Sequence, residues 1–166
     1  MPKLDTFVAA ELSAARFSQS LLEQIESAPM PSIGQGPICA PLADRIGEDA
    51  SGAVPPLVQA GLWLLAGDLD ASHAISQSDE SPEGSFWHAV MHRREGDFGN
   101  AKYWFRRVGT HPVLQHLATT GYGDPIRFVD ACERAAKGNG ADAAELAKWQ
   151  WLEWQSLFAH CVRKGK

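Results

Sequence analysis

From about residue 141 to residue 162, Ala147, Trp151, Trp154, Phe158 and Cys161 recur at steps of four, three, four and three. That spacing puts five apolar side chains on one face of an α-helix. A half-buried strand would need alternation at every second residue. No segment sustains such alternation, so the chain is expected to be all-α. Trp149 and Leu152 fall off the stripe. They either widen the core or face a second partner, such as another copy of the chain in a homodimer.

The same test organises the rest of the chain. Residues 4–27 read as one helix, with Leu4, Phe7, Val8, Ala14, Ala15, Leu22 and Ile25 on one side and Glu11 and Ser18 as blemishes. Residues 28–53 lose all period and are rich in Pro and Gly, the composition of a long surface loop or a lid. Pro55-Pro56 opens an apolar helix containing Leu57, Leu62, Trp63, Leu64 and Leu65. Gly67-Asp68 reads as a turn into a short helix ending near Gln77. Ser81-Pro82 is an N-cap followed by Pro at the first helical position. That helix runs to Glu95, Gly96-Asp97 turns the chain, and Asn100 to Val108 forms the next helix. The two Gly-Asp turns lie 29 residues apart and each follows an apolar helix, a weak internal repeat of helical hairpins. Thr110-His111-Pro112 and Asp124-Pro125 open two further helices, and Gly138-Asn139-Gly140 precedes the last. About seven or eight helices are expected, in one domain spanning residues 1–166, a length sufficient for a single core.

Composition narrows the function classes. Apolar content of 45% and charged content of 21% suit a globular protein. A net charge of -5 argues against nucleic acid as a general partner, because a polyanion meets a repulsive average surface. No apolar run is long enough for a membrane span, and residues 1–17 lack a signal-peptide core. Cys39, Cys132 and Cys161 are odd in number and show no metal-ligand spacing, which points to reduced thiols in a cytoplasmic protein.

The residues with the most chemistry sit between Ser81 and Val113. On a helix, Phe86, Trp87, Val90, Met91 and Arg94 share one side, and His88, His92 and Glu95 share nearly the opposite one. Two imidazoles one turn apart can ligate one metal ion, with a carboxylate one turn further completing the set. The order is not H-E-x-x-H, since Ala89 stands where that motif places its general base. A metal site therefore needs a further ligand, with His73 or His111 the leading choices. Arg93, Arg94, Lys102, Arg106 and Arg107 make the hairpin locally basic, and Arg suits a bidentate grip on carboxylate or phosphate. Tyr103 or Trp87 would supply a stacking surface. Arg94, on the apolar side, is expected to be buried against an acidic residue of another helix.

Three stretches carry a resemblance. Ser72–Gln77 fits S-H-x-I-S-Q, Trp87–Glu95 fits W-H-x-x-M-H-R-R-E, and Asn100–Arg107 fits N-x-x-Y-W-x-R-R. Together they resemble a family of uncharacterised bacterial and fungal proteins, which implies no catalytic residue. Residues 96–108 are also similar to the turn and second helix of a tetratricopeptide repeat, with Gly96, Ala101 and Phe105 in the matching places and Pro112 near the end. This second resemblance implies tetratricopeptide-like helical hairpins in a right-handed α-α arrangement.

Three functional expectations follow. The first is a small binding protein with a groove for an anionic small molecule or peptide, lined by His73, His88, His92, Arg93, Tyr103, Arg106 and Arg107. The second is a metal-dependent, hydrolase-like enzyme holding a divalent transition metal such as zinc on His73, His88 and His92, with Glu95 as ligand or general base. The third is a helical scaffold that joins partners and has no small-molecule site.

Overall fold

The computed structural model describes residues 4–14, 17–49, 54–139 and 142–165. Among them are ten helices and no strand. In chain order these are α1 (Thr6–Ala14), α2 (Gln19–Ser27), α3 (Ala40–Asp49), α4 (Pro56–Ala66), α5 (Leu69–Ser76), α6 (Pro82–Glu95), α7 (Phe98–Val108), α8 (Pro112–Ala118), α9 (Pro125–Ala136) and α10 (Ala143–Lys164).

The helix count exceeds the expected seven or eight for two local reasons. The single helix expected over 4–27 is two, because Ser18 takes extended backbone and caps α2 through the Leu21 N–H at 3.1 Å. Its side chain cannot serve as a mid-helix blemish and a cap at once, and capping wins. The second reason lies in the segment expected to be a loop over 28–53. It contains α3, which buries Leu42 and Ile46 one turn apart, while 50–53 lie outside the described residues.

The expected starts and stops of the central hairpins hold except that α7 begins at Phe98, two residues before Asn100. Ser81 caps α6 through the Gly84 N–H, with Pro82 in the first turn. Gly67 and Gly96 end α4 and α6 in left-handed backbone, φ 87° and 94°. Asp68 and Asp97 then cap α5 and α7 through the N–H groups of Ala71 and Asn100. The two turns are built alike, but their surroundings differ. A Cβ at Gly67 would lie 2.7 Å from the Pro37 carbonyl oxygen, whereas one at Gly96 meets nothing within 4 Å.

Packing places α6 and α10 at the centre. Helix α6 contacts α4, α5 and α7, and α10 contacts α1, α4, α8 and α9. Helix α4 comes close to both, because Gly61 faces Trp87 of α6 and Phe158 of α10. A Cβ there would lie 2.8 and 2.9 Å from their rings. Trp154 donates its indole N–H to the Gly61 carbonyl at 2.8 Å and stacks on Phe158. Trp149 and Leu152 are half-buried and widen the core, with Trp149 lying over Gly121. Cys132 and Cys161 are buried thiols.

Helix α6 is enclosed over most of its length. The side opposite Phe86 and Trp87 is not an open surface, since every residue from Glu83 to Arg94 is buried. A helical wheel finds the apolar face, but a central helix buries its polar face too, and each polar group there needs a partner. Arg94 is buried as expected, but its partners are backbone carbonyls rather than an acid. It donates to Leu64 of α4 and, more weakly, to Gly34 at 3.3 Å and Gln35 at 3.4 Å. With the Gln150 amide donating to Ser32 at 2.9 Å, these bonds tie the segment before α3 onto α6 and α10. No described helix is long and apolar enough to cross a membrane.

Candidate functional site

His73 projects from α5, and His88 and His92 project one turn apart from α6. The α4–α5 turn and the following Ser81 cap lay α5 along α6, which brings the three rings together. Their centroids are 4.8 Å apart for His73 and His88, 4.7 Å for His88 and His92, and 5.4 Å for His73 and His92. One nitrogen from each lies within 4.8 Å of the others. Ligands bonded at 2.0–2.1 Å around a tetrahedral ion stand about 3.3 Å apart. The His88 and His92 rings are stacked, with 18° between their planes. The His88 ring is also stacked on Trp104 of α7 at 4.1 Å, which fixes its plane.

Electrostatics keep this cluster suited to a cation. Burial, reinforced by the neighbouring His92 and His73, lowers the His88 pKa to about 4. His88 is therefore neutral near pH 7 and carries a lone pair. Both of its nitrogens are buried without a hydrogen-bond partner, a condition that costs about 1–3 kcal/mol per group. His92 is held differently. Its Nδ1 lies 2.5 Å from Glu95 Oε1. A carboxylate accepts, so Nδ1 carries the proton, and in the neutral ring Nε2 then holds the lone pair. This is the outer-sphere support that metal-bound imidazoles receive. Glu95 is exposed and bonds His92, and it also lies with His92 and Asp97 in a group whose ligand atoms are within 4.8 Å of one another.

The other expected site residues divide. Arg93 does not reach the cluster. It is fully buried and donates two hydrogen bonds to Glu153 of α10, at 2.9 and 2.5 Å, with its guanidinium 4.5 Å from the Phe128 ring. Burial opposes its charge, but Glu153 outweighs that and holds the pKa above the usual arginine value. Tyr122 donates to the same carboxylate at 2.5 Å, and burial raises its own pKa. Arg93 thus already pairs with an anion of its own chain, with only its Nε left without a partner. Tyr103, Arg106 and Arg107 lie on the exposed side of α7. Arg107 sits over Trp104 at 5.1 Å, and Tyr103 meets Trp104 edge-on at 5.3 Å. These two reach the cluster's edge through the indole that stacks on His88, whereas Arg106 makes no ring contact to it. His111 joins a different group, for the reason given next.

That group was not foreseen. Glu83, in the first turn of α6, is buried among His111, His160 and Lys164. Its Oε1 accepts from His160 Nε2 and Lys164 Nζ, each at 2.9 Å, and lies 3.6 Å from His111 Nε2. Burial raises the Glu83 pKa, but the bonds from Lys164 and His160 outweigh it and bring it to about 2. His111 Nδ1 accepts the Val113 N–H at 3.2 Å, capping α8. In the neutral ring this puts the proton on Nε2, the nitrogen that faces Glu83, and leaves no lone pair there for a metal. The only signal in the sequence was the one-turn spacing of His160 and Lys164. Their partner Glu83 is 77 residues from His160.

Comparison with protein-family models, with curated proteins and with solved structures finds no match to this chain.

Proposed function

We propose that His73, His88 and His92 bind a divalent transition metal, zinc being the reference case, and that this makes the chain a metal-binding helical protein. One observation carries the reading: a buried, neutral imidazole, His88, has both nitrogens unpartnered within a cluster of three imidazoles whose nitrogens lie within 4.8 Å of one another. An ion would satisfy the nitrogen that the fold leaves unpaired. The donor set of three imidazoles suits zinc and its neighbours rather than calcium or magnesium, which prefer oxygen.

Three neutral protein ligands leave a zinc ion with its charge uncompensated and a fourth position free. Water or an anion would fill that position, and Tyr103 and Arg107 beside Trp104 mark the edge from which an anion would approach. The reading therefore keeps the anionic ligand but seats it on the metal rather than on Arg93. Hydrolytic chemistry would use the same open position, with a metal-bound water as the nucleophile. His73 belongs to the α4–α5 hairpin and the other two ligands to the α6–α7 hairpin. The ion would then cross-link two consecutive hairpins, which we read as a tetratricopeptide-like pair on the strength of their matching Gly-Asp turns.

The test is metal analysis of untagged protein purified without chelator or nickel resin, followed by titration with zinc and with cobalt. One equivalent is expected, with a cobalt visible spectrum of tetrahedral type. In the His88→Ala, His92→Ala double variant both should disappear. Protein that arrives metal-free and takes up neither ion would end this proposal.

A further inference from the structure

A cavity of about 450 Å³ opens on the other side of the molecule's chemistry, where α1, α8 and α10 meet. It falls within the size range of small-molecule sites. Its polar lining consists of His116, Ser156, His160 and Arg163, and its apolar lining includes Phe7 and Val113. No carboxylate is among the described residues that line it. We propose that this cavity is a binding site for a small carboxylate with an apolar body, separate from the histidine cluster that would hold a metal.

The polar groups are placed for an acceptor-rich ligand. Arg163 is half exposed and reaches Glu11 through Nη1 at 3.4 Å. A guanidinium has five N–H donors, so that contact leaves others for a bidentate grip on a carboxylate. His160 is positioned from behind by buried Glu83, whose Oε1 accepts from Nε2 at 2.9 Å. Nδ1 of the neutral ring is then an acceptor, so His160 lines the cavity beside the ligand while Arg163 and Ser156 supply the donors to its carboxylate. The Ser156 hydroxyl, one turn before His160 on α10, is buried and has no hydrogen-bond partner. A buried hydroxyl without a partner carries a free-energy cost that a bound acceptor relieves. Phe7 is 39% exposed, unusual for a side chain of its size, and it stands in the wall of this cavity. An apolar ligand body against Phe7 and Val113 would remove that surface from water.

Benzoate is a suitable probe and benzamide its neutral counterpart. The expected result is a saturable rise in melting temperature with millimolar benzoate, because a ligand bound only by the native state stabilises it. The ring resonances of His116 and His160 should move, while that of His73 should not. Benzamide should bind about tenfold more weakly, and so should benzoate to the Arg163→Gln variant, since a charge-assisted contact is lost in each case. Arg163 is surface-exposed, and an unliganded melting temperature close to wild type would verify that the variant folds. The proposal is overturned if benzoate gives no saturable shift, if benzamide binds equally well, or if Arg163→Gln binds benzoate as tightly as wild type.

Discussion

His73, His88 and His92 meet where α5 lies along α6, with one carboxylate, Glu95, at their edge. At the opposite end of α6, Glu83 stands in the middle of His111, His160 and Lys164. Both groups hold imidazoles within metal-ligand reach, yet they differ in which nitrogens are already engaged. Glu95 accepts a hydrogen bond from His92 Nδ1, which in the neutral ring leaves the Nε2 lone pair free. The Val113 N–H occupies His111 Nδ1 and leaves the other nitrogen protonated. Proximity alone ranks the two clusters as equals. Hydrogen bonding leaves donor nitrogens open in the first, the set proposed to bind a metal, and makes the second an ion-pair cluster that positions His160.

The comparison can be broken in several ways. The largest expected effect is on acid stability without metal. His88 has a folded pKa of about 4 against 6.5 for the free group. Below pH 6.5 the unfolded chain binds the proton that the folded chain refuses, so stability falls with pH until about pH 4 and then levels. The loss attributable to His88 is about 3 kcal/mol. Urea titrations of wild type and His88→Gln across that range should differ by this slope, and parallel curves would refute the assignment. Next, zinc at a hundredfold excess over its dissociation constant should stabilise the wild type by about 2.7 kcal/mol. His160→Gln should retain that gain and the His88, His92 double variant should lose it. Equal gains in all three would place the ion elsewhere.

Glu83→Gln should cost about 2 kcal/mol at neutral pH, because Lys164 and His160 lose their charged acceptor. Glu83 contributes stability above pH 4.5 that is lost as pH falls through its folded value of about 2. Its acid window thus lies below that of His88, and calorimetry at pH 3 should show wild type and Glu83→Gln converging. The smallest effect is sought at the outer sphere of the metal cluster. Glu95→Gln should weaken zinc binding about tenfold, or about 1.4 kcal/mol, with little change in stability without metal. A complete loss of binding would show Glu95 to be a direct ligand.

Much of the fold follows from local signals. Helical period defines α10, Ser81-Pro82 defines the start of α6, and the paired Gly-Asp turns close both central hairpins. The i, i+4 spacing of His88 and His92 likewise puts both on one side of α6, and His73 is the third imidazole that the fold brings beside them. Where the reading failed, the deciding partner was remote. Ser18 leaves helical backbone and caps α2, while α1 stops at Ala14, so the stripe across 4–27 joined two separate registers. Arg93 resembled a ligand-binding arginine until Glu153, 60 residues away, was placed against it.

By itself, the sequence determined the helical class, most helix ends and the spacing of two candidate ligands, because backbone period and cap chemistry act over a single turn. Only the tertiary structure decided that α6 is enclosed on every side, that His73 rather than His111 meets His88, and that Arg93 already has its anion. A buried imidazole or guanidinium is defined by what occupies each of its nitrogens. Those occupants come from other helices, at distances along the chain that no local pattern records.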